Sequence, residues 1–391
     1  MSLNKRVIAE KLKVMFLSTG TGVGGAETQI IAVGSRLQEL GHQVMIVSMS
    51  EVGRLGLMAR GAGLTVESLG MKRGSPVPAI PVAVIRLHAL LYKFKPDVLV
   101  SFMFYANLLG RLTGSLARVP VNISSIRSER FGGSLSGALL RMTDCFGDGV
   151  LTNSRLVGHN LVSRKVVPAA RIHVVPNGIR LQQFMSNEVS RRTIRDEFQV
   201  PDDNFLWLAV GRLHAAKGYP VLLKAFSRLV AEYPTARLII VGDGPAAGAL
   251  DELSRNLGIS DRVCFAGERT DIADLLSAAD SLVLSSEWEG LPNIIIEAQA
   301  AGLPVVATEV GGVGELVFEG ENGYLASPGD PAGLSTKMLR MMMLSAQQRE
   351  QMGGAGKRQV EETFELGRVS NLWEKLFLDL LGSKGFLAKQ R

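Results

Sequence analysis

The chain of 391 residues is 46% hydrophobic and 20% charged, with 43 glycines, which suggests about two to three well-cored domains and excludes a disordered composition. Its two cysteines, Cys145 and Cys264, exclude a disulfide framework and a zinc quartet and fit a reducing cytosol. The net charge of +6 is uneven: residues 1–185 hold 22 Lys+Arg against 9 Asp+Glu, a net +13, and the remainder is −7, so either two bodies simply drift in composition or the first meets something anionic.

The start, MSLNKRVIAEKLK, is charged and lacks a signal-peptide core. A short apolar run over Lys13–Ser18 ends in glycines, and helical spacing over Ala26–Leu40 stops at Gly41. Val44–Ser48 and Leu64–Leu69 read as strands, Ile80–Phe94 as a helix, and Val98–Ser101, Val119–Ser124 and Gly149–Thr152 as strands. The longest apolar stretch, Val98–Leu109, is far short of the roughly 20 residues that span a bilayer. The expectation is a soluble protein that touches a membrane without crossing it. The series restarts with strand Phe205–Val210, helix Val221–Glu232, strand Arg237–Val241, helix Gly248–Leu257 and strand Arg262–Phe265. Asp271–Ala279, Ser281–Leu284, Asn293–Ala301 and Pro304–Ala307 complete it, and Leu366–Leu381 reads as an amphipathic tail helix. Strands apolar on both faces that alternate with helices signify parallel sheets covered on both sides. The polar stretch Met185–Asn204 marks the boundary. The expected organisation is α/β, with two doubly wound domains over 1–185 and 205–365, a linker over 186–204 and a helical tail over 366–391 that crosses back to the first domain. Ligands in such sheets bind at the carboxyl ends of the strands.

Several strand ends carry candidate chemistry. Gly20–Glu27 (GTGVGGAE) lets backbone approach a ligand at a helix N-terminus, although it is neither a Walker A loop nor a clean dinucleotide fingerprint. Gly211–Gly218 (GRLHAAKG) offers two cations, Arg212 and Lys217, suited to gripping a diphosphate; the alternative is a solvated loop. Gly242–Pro245 and Gly267 are glycine turns, and a planar base could lie against the backbone at Gly267. Glu289 and Glu297 stand eight positions apart around Gly290-Leu291-Pro292. They could be an acid/base pair, metal ligands, acceptors for hydroxyls, or helix-end carboxylates. The chain has no Asp-x-Asp to complete a metal site.

This pair, with Glu-Gly-Leu-Pro between, resembles the E-x7-E motif of retaining glycosyltransferases of family 4, which have the GT-B fold. The same family pattern is met in order in Gly24–Glu27, Asn153-Ser154, Val175–Ile179, Gly211–Leu213 with Lys217-Gly218, Gly242–Pro245, and Pro304–Thr308 with Gly311-Gly312. The resemblance implies two facing Rossmann-like domains with a cleft that closes about a hinge near 185–204. It implies donor binding by Gly24, Gly25, Arg212, Lys217, Gly267, Glu289, Gly290, Leu291 and Glu297. Arg212 and Lys217 would take the diphosphate, Glu297 the ribose and Glu289 the sugar hydroxyls, with Glu289, Arg212 and Lys217 as the catalytic set. The implied activity is transfer of a hexose or N-acetylhexosamine from a nucleoside diphosphate sugar, UDP-sugar favoured, to a glycan or polyprenyl-diphosphate-linked acceptor in bacterial polysaccharide, lipopolysaccharide or glycolipid assembly. No metal or other cofactor and no nucleic acid is expected, and the expected place is the cytoplasm, peripheral on the inner membrane face. Many relatives carry a histidine after the fifth strand; this chain has Arg127 there, an acceptor-binding candidate that cannot act as a base. His88 and His159 read as surface or packing residues. A sugar-nucleotide epimerase of the same fold, and a catalytically silent nucleotide-sugar or glycan-binding subunit, are the alternatives.

Overall fold

The computed structural model describes residues 11–22, 24–71, 79–128, 134–185 and 187–386. It divides into two compact units, Met1–Gly178 with Leu366–Arg391, and Ile179–Glu365.

The first unit is built on seven parallel strands: β1 (Lys13–Ser18), β2 (Gln43–Ser50), β3 (Thr65–Met71), β4 (Val98–Phe102), β5 (Val121–Ser125), β6 (Gly149–Thr152) and β7 (Ile172–Val174). Their order is β3-β2-β1-β4-β5-β6-β7. Side chains alternate across a strand, so β1 feeds two cores. Val14 and Phe16 join one with Trp373 and Phe377, while Met15 and Leu17 join the other with Leu87, Leu91 and Leu99. The first layer is helix Gly25–Glu39 with the tail helix Leu366–Ser383. Trp373 stacks at 6.2 Å on Phe102 and meets Phe16 edge-on at 6.0 Å, so the apolar stripe of the tail is spent in this core. Helices Ala79–Phe94 and Phe104–Leu116 cover the other face. His88 and His159 are exposed on helices Ala79–Phe94 and Arg155–Ser163.

The second unit has six parallel strands: β8 (Leu206–Val210), β9 (Arg237–Val241), β10 (Val263–Gly267), β11 (Ser281–Leu284), β12 (Val305–Thr308) and β13 (Gly323–Ala326). Their order is β10-β9-β8-β11-β12-β13. The division between units falls at Gly178–Ile179, ahead of the expected linker. Most of that stretch is structured: Glu188–Glu197 is a helix packed on helix Ile272–Ala278. Two of its arginines turn inward. Arg191 donates to the Ala278 carbonyl at 2.9 Å and to Asp280 at 3.0 Å, and buried Arg195 donates to the same carbonyl at 2.9 Å. Carbonyls at a helix C-terminus lack intrahelical donors, and these arginines supply them. His42, buried in the first unit, similarly accepts from the Leu12 amide and meets Glu374 of the tail helix at 3.1 Å.

Both sheets reverse their winding once, between β1 and β4 and between β8 and β11. Connections leave such a switch point in opposite directions, which opens a crevice at the carboxyl ends of the two strands.

Candidate functional site

In the second unit the loops after β8 and β11 meet at that switch point. After Val210 the chain turns through Gly211 into a short 3-10 segment, Ala215–Lys217, whose start is capped by the His214 side chain. Gly218 then adopts φ +60, and a Cβ there would overlap the Ser285 carbonyl oxygen, so glycine is required for the two loops to pack. Tyr219 is buried and donates its hydroxyl to the Gly211 carbonyl at 2.9 Å. Burial, and secondarily the nearby Glu289 charge, push this phenol up, so it remains a donor at neutral pH.

The β11 loop is fastened from both sides. Ser285 donates to the Lys217 carbonyl at 2.8 Å, the Glu287 amide to the Ala216 carbonyl at 2.9 Å, and Thr308 at the end of β12 to the Ser286 carbonyl at 2.6 Å. These contacts bring Lys217 Nζ to 2.5 Å from Glu289 Oε1, which also accepts from Ser286 Oγ at 2.7 Å. Glu289 Oε2 accepts no hydrogen bond among the described residues. The ammonium has three N–H groups and commits one of them here. The Gly290 carbonyl accepts from the Gly312 amide at 2.6 Å, and Gly311 is required both by its φ of +53 and because a Cβ would strike the Glu289 carbonyl. Leu291 is buried, and Pro292 occupies the N-cap position of helix Asn293–Ala300 without a side-chain cap.

That helix buries Ile294, Ile295 and Ile296, and Glu297 interrupts the apolar run. Its carboxylate is partly buried and has no hydrogen-bond or ion-pair partner among the described residues. Burial raises its pKa to about 7. Arg212, also unpaired among the described residues, is exposed directly after β8. Its loop is held by the Leu213 amide donating to the Asp243 carbonyl at 2.9 Å and by Gly244, where a Cβ would overlap the Leu213 carbonyl. Gly267 ends β10 at φ +66, and its carbonyl accepts from the Gly242 amide at 2.7 Å. The second unit thus presents an open guanidinium, an ammonium anchored by one carboxylate, and two carboxylates with accepting oxygens to spare. Such a set can hold a diphosphate and polyol hydroxyls. No group of three His, Cys, Asp or Glu among the described residues is disposed to hold a metal ion.

The other expected residues lie in the first unit. Gly24 and Gly25 start helix Gly25–Glu39, and the Glu27 carboxylate folds back onto Gly24, so the helix's own acid already complements its N-terminus. Arg127 follows β5, donates to the Asn177 side chain and lies 5.6 Å over the Phe102 ring. Burial lowers its pKa to about 10, with Glu27 opposing, and it remains cationic at neutral pH. Residues 129–133 beside it are outside the described residues. The Asn177 loop is clamped by Gln29, which accepts from the Gly178 amide at 2.7 Å and donates to its carbonyl at 2.9 Å. Sequence reasoning gave no role to Ser286, Tyr219 or Asn177. Ser286 could have been found, as a hydroxyl two residues after a buried strand and three before Glu289.

Comparison with known proteins accounts for both halves. The family of glycosyl transferases group 1 matches residues 190–359, and glycosyltransferase family 4 matches residues 23–183. N-acetyl-alpha-D-glucosaminyl L-malate synthase of Bacillus anthracis is 28% identical over 228 residues, 58% of this chain and 59% of that protein, so the match spans about three fifths of its length. UDP-Gal:alpha-D-GlcNAc-diphosphoundecaprenol alpha-1,3-galactosyltransferase of Escherichia coli is 26% identical over 66% of this chain and 70% of its own. The solved structure of Anabaena HepE in complex with UDP and glucose superposes with a TM-score of 0.84 at 21% identity, over 94% of this chain and 100% of that one. The two matched families, in order along a chain of two Rossmann-like units, place it among the glycosyltransferases of group 1 and family 4, enzymes of the GT-B fold.

Proposed function

We propose that the second unit binds a UDP-sugar and that the enzyme transfers its hexose or N-acetylhexosamine, with retention of configuration and without a metal, to a glycan or polyprenyl-diphosphate-linked acceptor. The observation that carries this reading is the Lys217–Glu289 pair at the β8/β11 switch point, with unpaired Arg212 and Glu297 on the adjoining loop and helix. Arg212 and the two uncommitted N–H groups of Lys217 would hold the diphosphate. Glu297, once ionised, would accept both ribose hydroxyls. Glu289 Oε2 would accept from the donor sugar, and the backbone at Gly290 and Leu291 would support it, with Gly267 beside the base. Gly24 and Gly25, at the start of helix Gly25–Glu39, are further donor-binding candidates.

In the transfer step the anomeric C–O bond breaks and its electron pair leaves with the diphosphate, where Arg212 and Lys217 stabilise the growing charge. The acceptor oxygen bonds to the anomeric carbon on the same face, and its proton passes to the departing phosphate oxygen. Arg127, cationic and held by Asn177, would bind an acceptor phosphate rather than act as a base. A role in bacterial polysaccharide, lipopolysaccharide or glycolipid assembly on the cytoplasmic membrane face follows from such an acceptor. HepE was solved with UDP, and the Escherichia coli relative is named for a diphosphoundecaprenol-linked acceptor, which supports the choice of donor and acceptor class.

Thermal shift against UDP, GDP and their sugars tests the donor assignment. UDP-sugars should raise the melting temperature by mass action on the folded state. Lys217→Ala and Glu297→Ala should fold and lose most of that shift. Nucleotide binding by both variants at the parent's level would show the site to be elsewhere.

A further inference from the structure

Among the described residues, 21 large hydrophobic side chains stand exposed, and 17 of them belong to the first unit. They are not scattered. Helix Ala79–Phe94 buries Ala83, Leu87 and Leu91 against the sheet, yet its outer side carries Val82, Ile85 and Tyr92, the last two 67% and 76% exposed. The spacing of three then seven keeps these three on one stripe. Helix Phe104–Leu116 repeats the pattern with Tyr105, Leu112 and Leu116, and helix Ser134–Met142 with Leu135 and Met142. The three helices pack side by side, the first on the second and the second on the third, so the stripes form one surface. A water-facing helix ordinarily has a polar outer side, and contiguous apolar surface of this extent marks an interaction site.

Among the described residues, the exposed charges on these helices are basic, and Glu67 is the exposed acid of the neighbouring strand β3. Arg86, Lys93, Lys95, Arg118 and Arg141 are exposed on or beside these helices. Among the described residues of 79–146 the two acids both turn inward. Asp97 accepts from the Lys13 amide at 2.7 Å, and buried Asp144 is held between Arg111 at 3.2 Å and Arg171 at 2.8 Å. A protein partner that matched this face would need an apolar surface rimmed by acids; an anionic bilayer supplies both everywhere. We propose that the three-helix face of the first unit is a docking surface for an anionic lipid bilayer. The outer stripes would enter the headgroup boundary, and the lysines and arginines would meet lipid phosphates. No helix among the described residues is long and apolar enough to cross a membrane, so the mode is lying on the surface. This deepens the membrane part of the proposed function but rests on the first unit alone, so it can fail while donor binding by the second unit stands.

The test is co-sedimentation of the full chain with vesicles of phosphatidylcholine alone, or with phosphatidylglycerol as about a third of the lipid. Parent protein should bind the anionic vesicles and be released as salt rises. Ile85→Glu with Tyr92→Glu should lower the partition coefficient at least about tenfold, while Met343→Glu, an exposed apolar site in the second unit, should leave it unchanged. Circular dichroism and the UDP-induced thermal shift check that the variants fold. If the double variant does not fold, Lys93→Glu with Lys95→Glu gives the same readout from the charges. Undiminished binding by the folded apolar variant, or equal binding to neutral vesicles, would overturn the proposal. So would a lipid-free dimer, seen by sedimentation velocity, that the same substitutions dissociate.

Discussion

Glu297 is the most exacting test of the second unit, because it should be both a liability for stability and a requirement for binding. Its carboxyl is raised from 4.5 to about 7 by burial on an otherwise apolar helix. In the unfolded chain it ionises near 4.5, so between about pH 4.5 and 7 the folded state holds the proton more firmly. Stability therefore falls as pH rises through this window, and the cost of the buried charge is complete above pH 7. At about 1.4 kcal/mol per pH unit the displacement is worth roughly 3 kcal/mol, and partial exposure to water reduces it to about 1–2 kcal/mol.

Glu297→Gln keeps the shape and removes the charge. It should stabilise the second unit by about 1–2 kcal/mol at pH 8 and by close to nothing at pH 4.5. Urea unfolding followed by tryptophan fluorescence reads this unit through Trp207 and Trp288, with Trp373 reporting the first. The same variant should weaken UDP binding, since an amide offers one accepting oxygen and no charge where the carboxylate offers two accepting oxygens and a full negative charge. In the parent protein, UDP affinity should rise from pH 6 to 8 as the carboxyl ionises, with proton release on binding near pH 7. A variant less stable than the parent at pH 8 would mean that the carboxylate has a favourable partner, and the reasoning from burial would fail.

Arg212→Ala should leave stability within about 0.5 kcal/mol, because the side chain is exposed and unpaired among the described residues, yet weaken UDP binding at least about tenfold in calorimetry. Gly311→Ala should cost about 2–3 kcal/mol in urea unfolding and weaken donor binding, because the new Cβ combines positive-φ strain with an overlap on the Glu289 carbonyl. Sugar transfer should persist in excess EDTA; activity lost to chelator and restored by Mg²⁺ or Mn²⁺ would show that the two cations do not replace a metal.

Strands buried on both faces, such as Leu206–Val210 and Ser281–Leu284, were legible because an uninterrupted apolar run admits few other readings. β13 was not: Gly323–Ala326 is four residues long and opens on a glycine packed against the Val305 carbonyl, so it shows neither period nor β-branched enrichment. The stretch 186–204 read as a linker because its arginines are charged, and their partners at Ala278 and Asp280 lie more than 80 residues away. The site shows the same limit. Residue types and strand-end positions marked Arg212, Lys217, Glu289 and Glu297 as candidates, but the Lys217–Glu289 contact joins residues 72 apart and exists only through the order of the sheet. Asn177 could not be matched to Arg127 before β5 and the Val175–Gly178 loop were known to converge.

The Lys217–Glu289 contact raises the question of whether Glu289 serves the sugar or merely aims the lysine, and Glu289→Gln separates the two. Oε1 already accepts from Lys217 and Ser286, and a glutamine oxygen in the same place could accept from both. The lysine would stay aimed, and its charge, no longer offset by a carboxylate, would attract the diphosphate more strongly. At Oε2 the change is the opposite, since an amide NH₂ replaces the open accepting oxygen and can only donate. If Glu289 recognises sugar hydroxyls, Glu289→Gln should bind UDP as tightly as the parent or up to about tenfold more tightly. It should bind UDP-sugar no better than UDP, and its transfer rate should fall by roughly two orders of magnitude or more. Calorimetry with UDP and with the sugar nucleotide, set beside transfer kinetics, gives the comparison. A variant whose UDP and UDP-sugar affinities fall together would assign Glu289 to positioning Lys217 alone, and the sugar would have to be held by other groups in the chain.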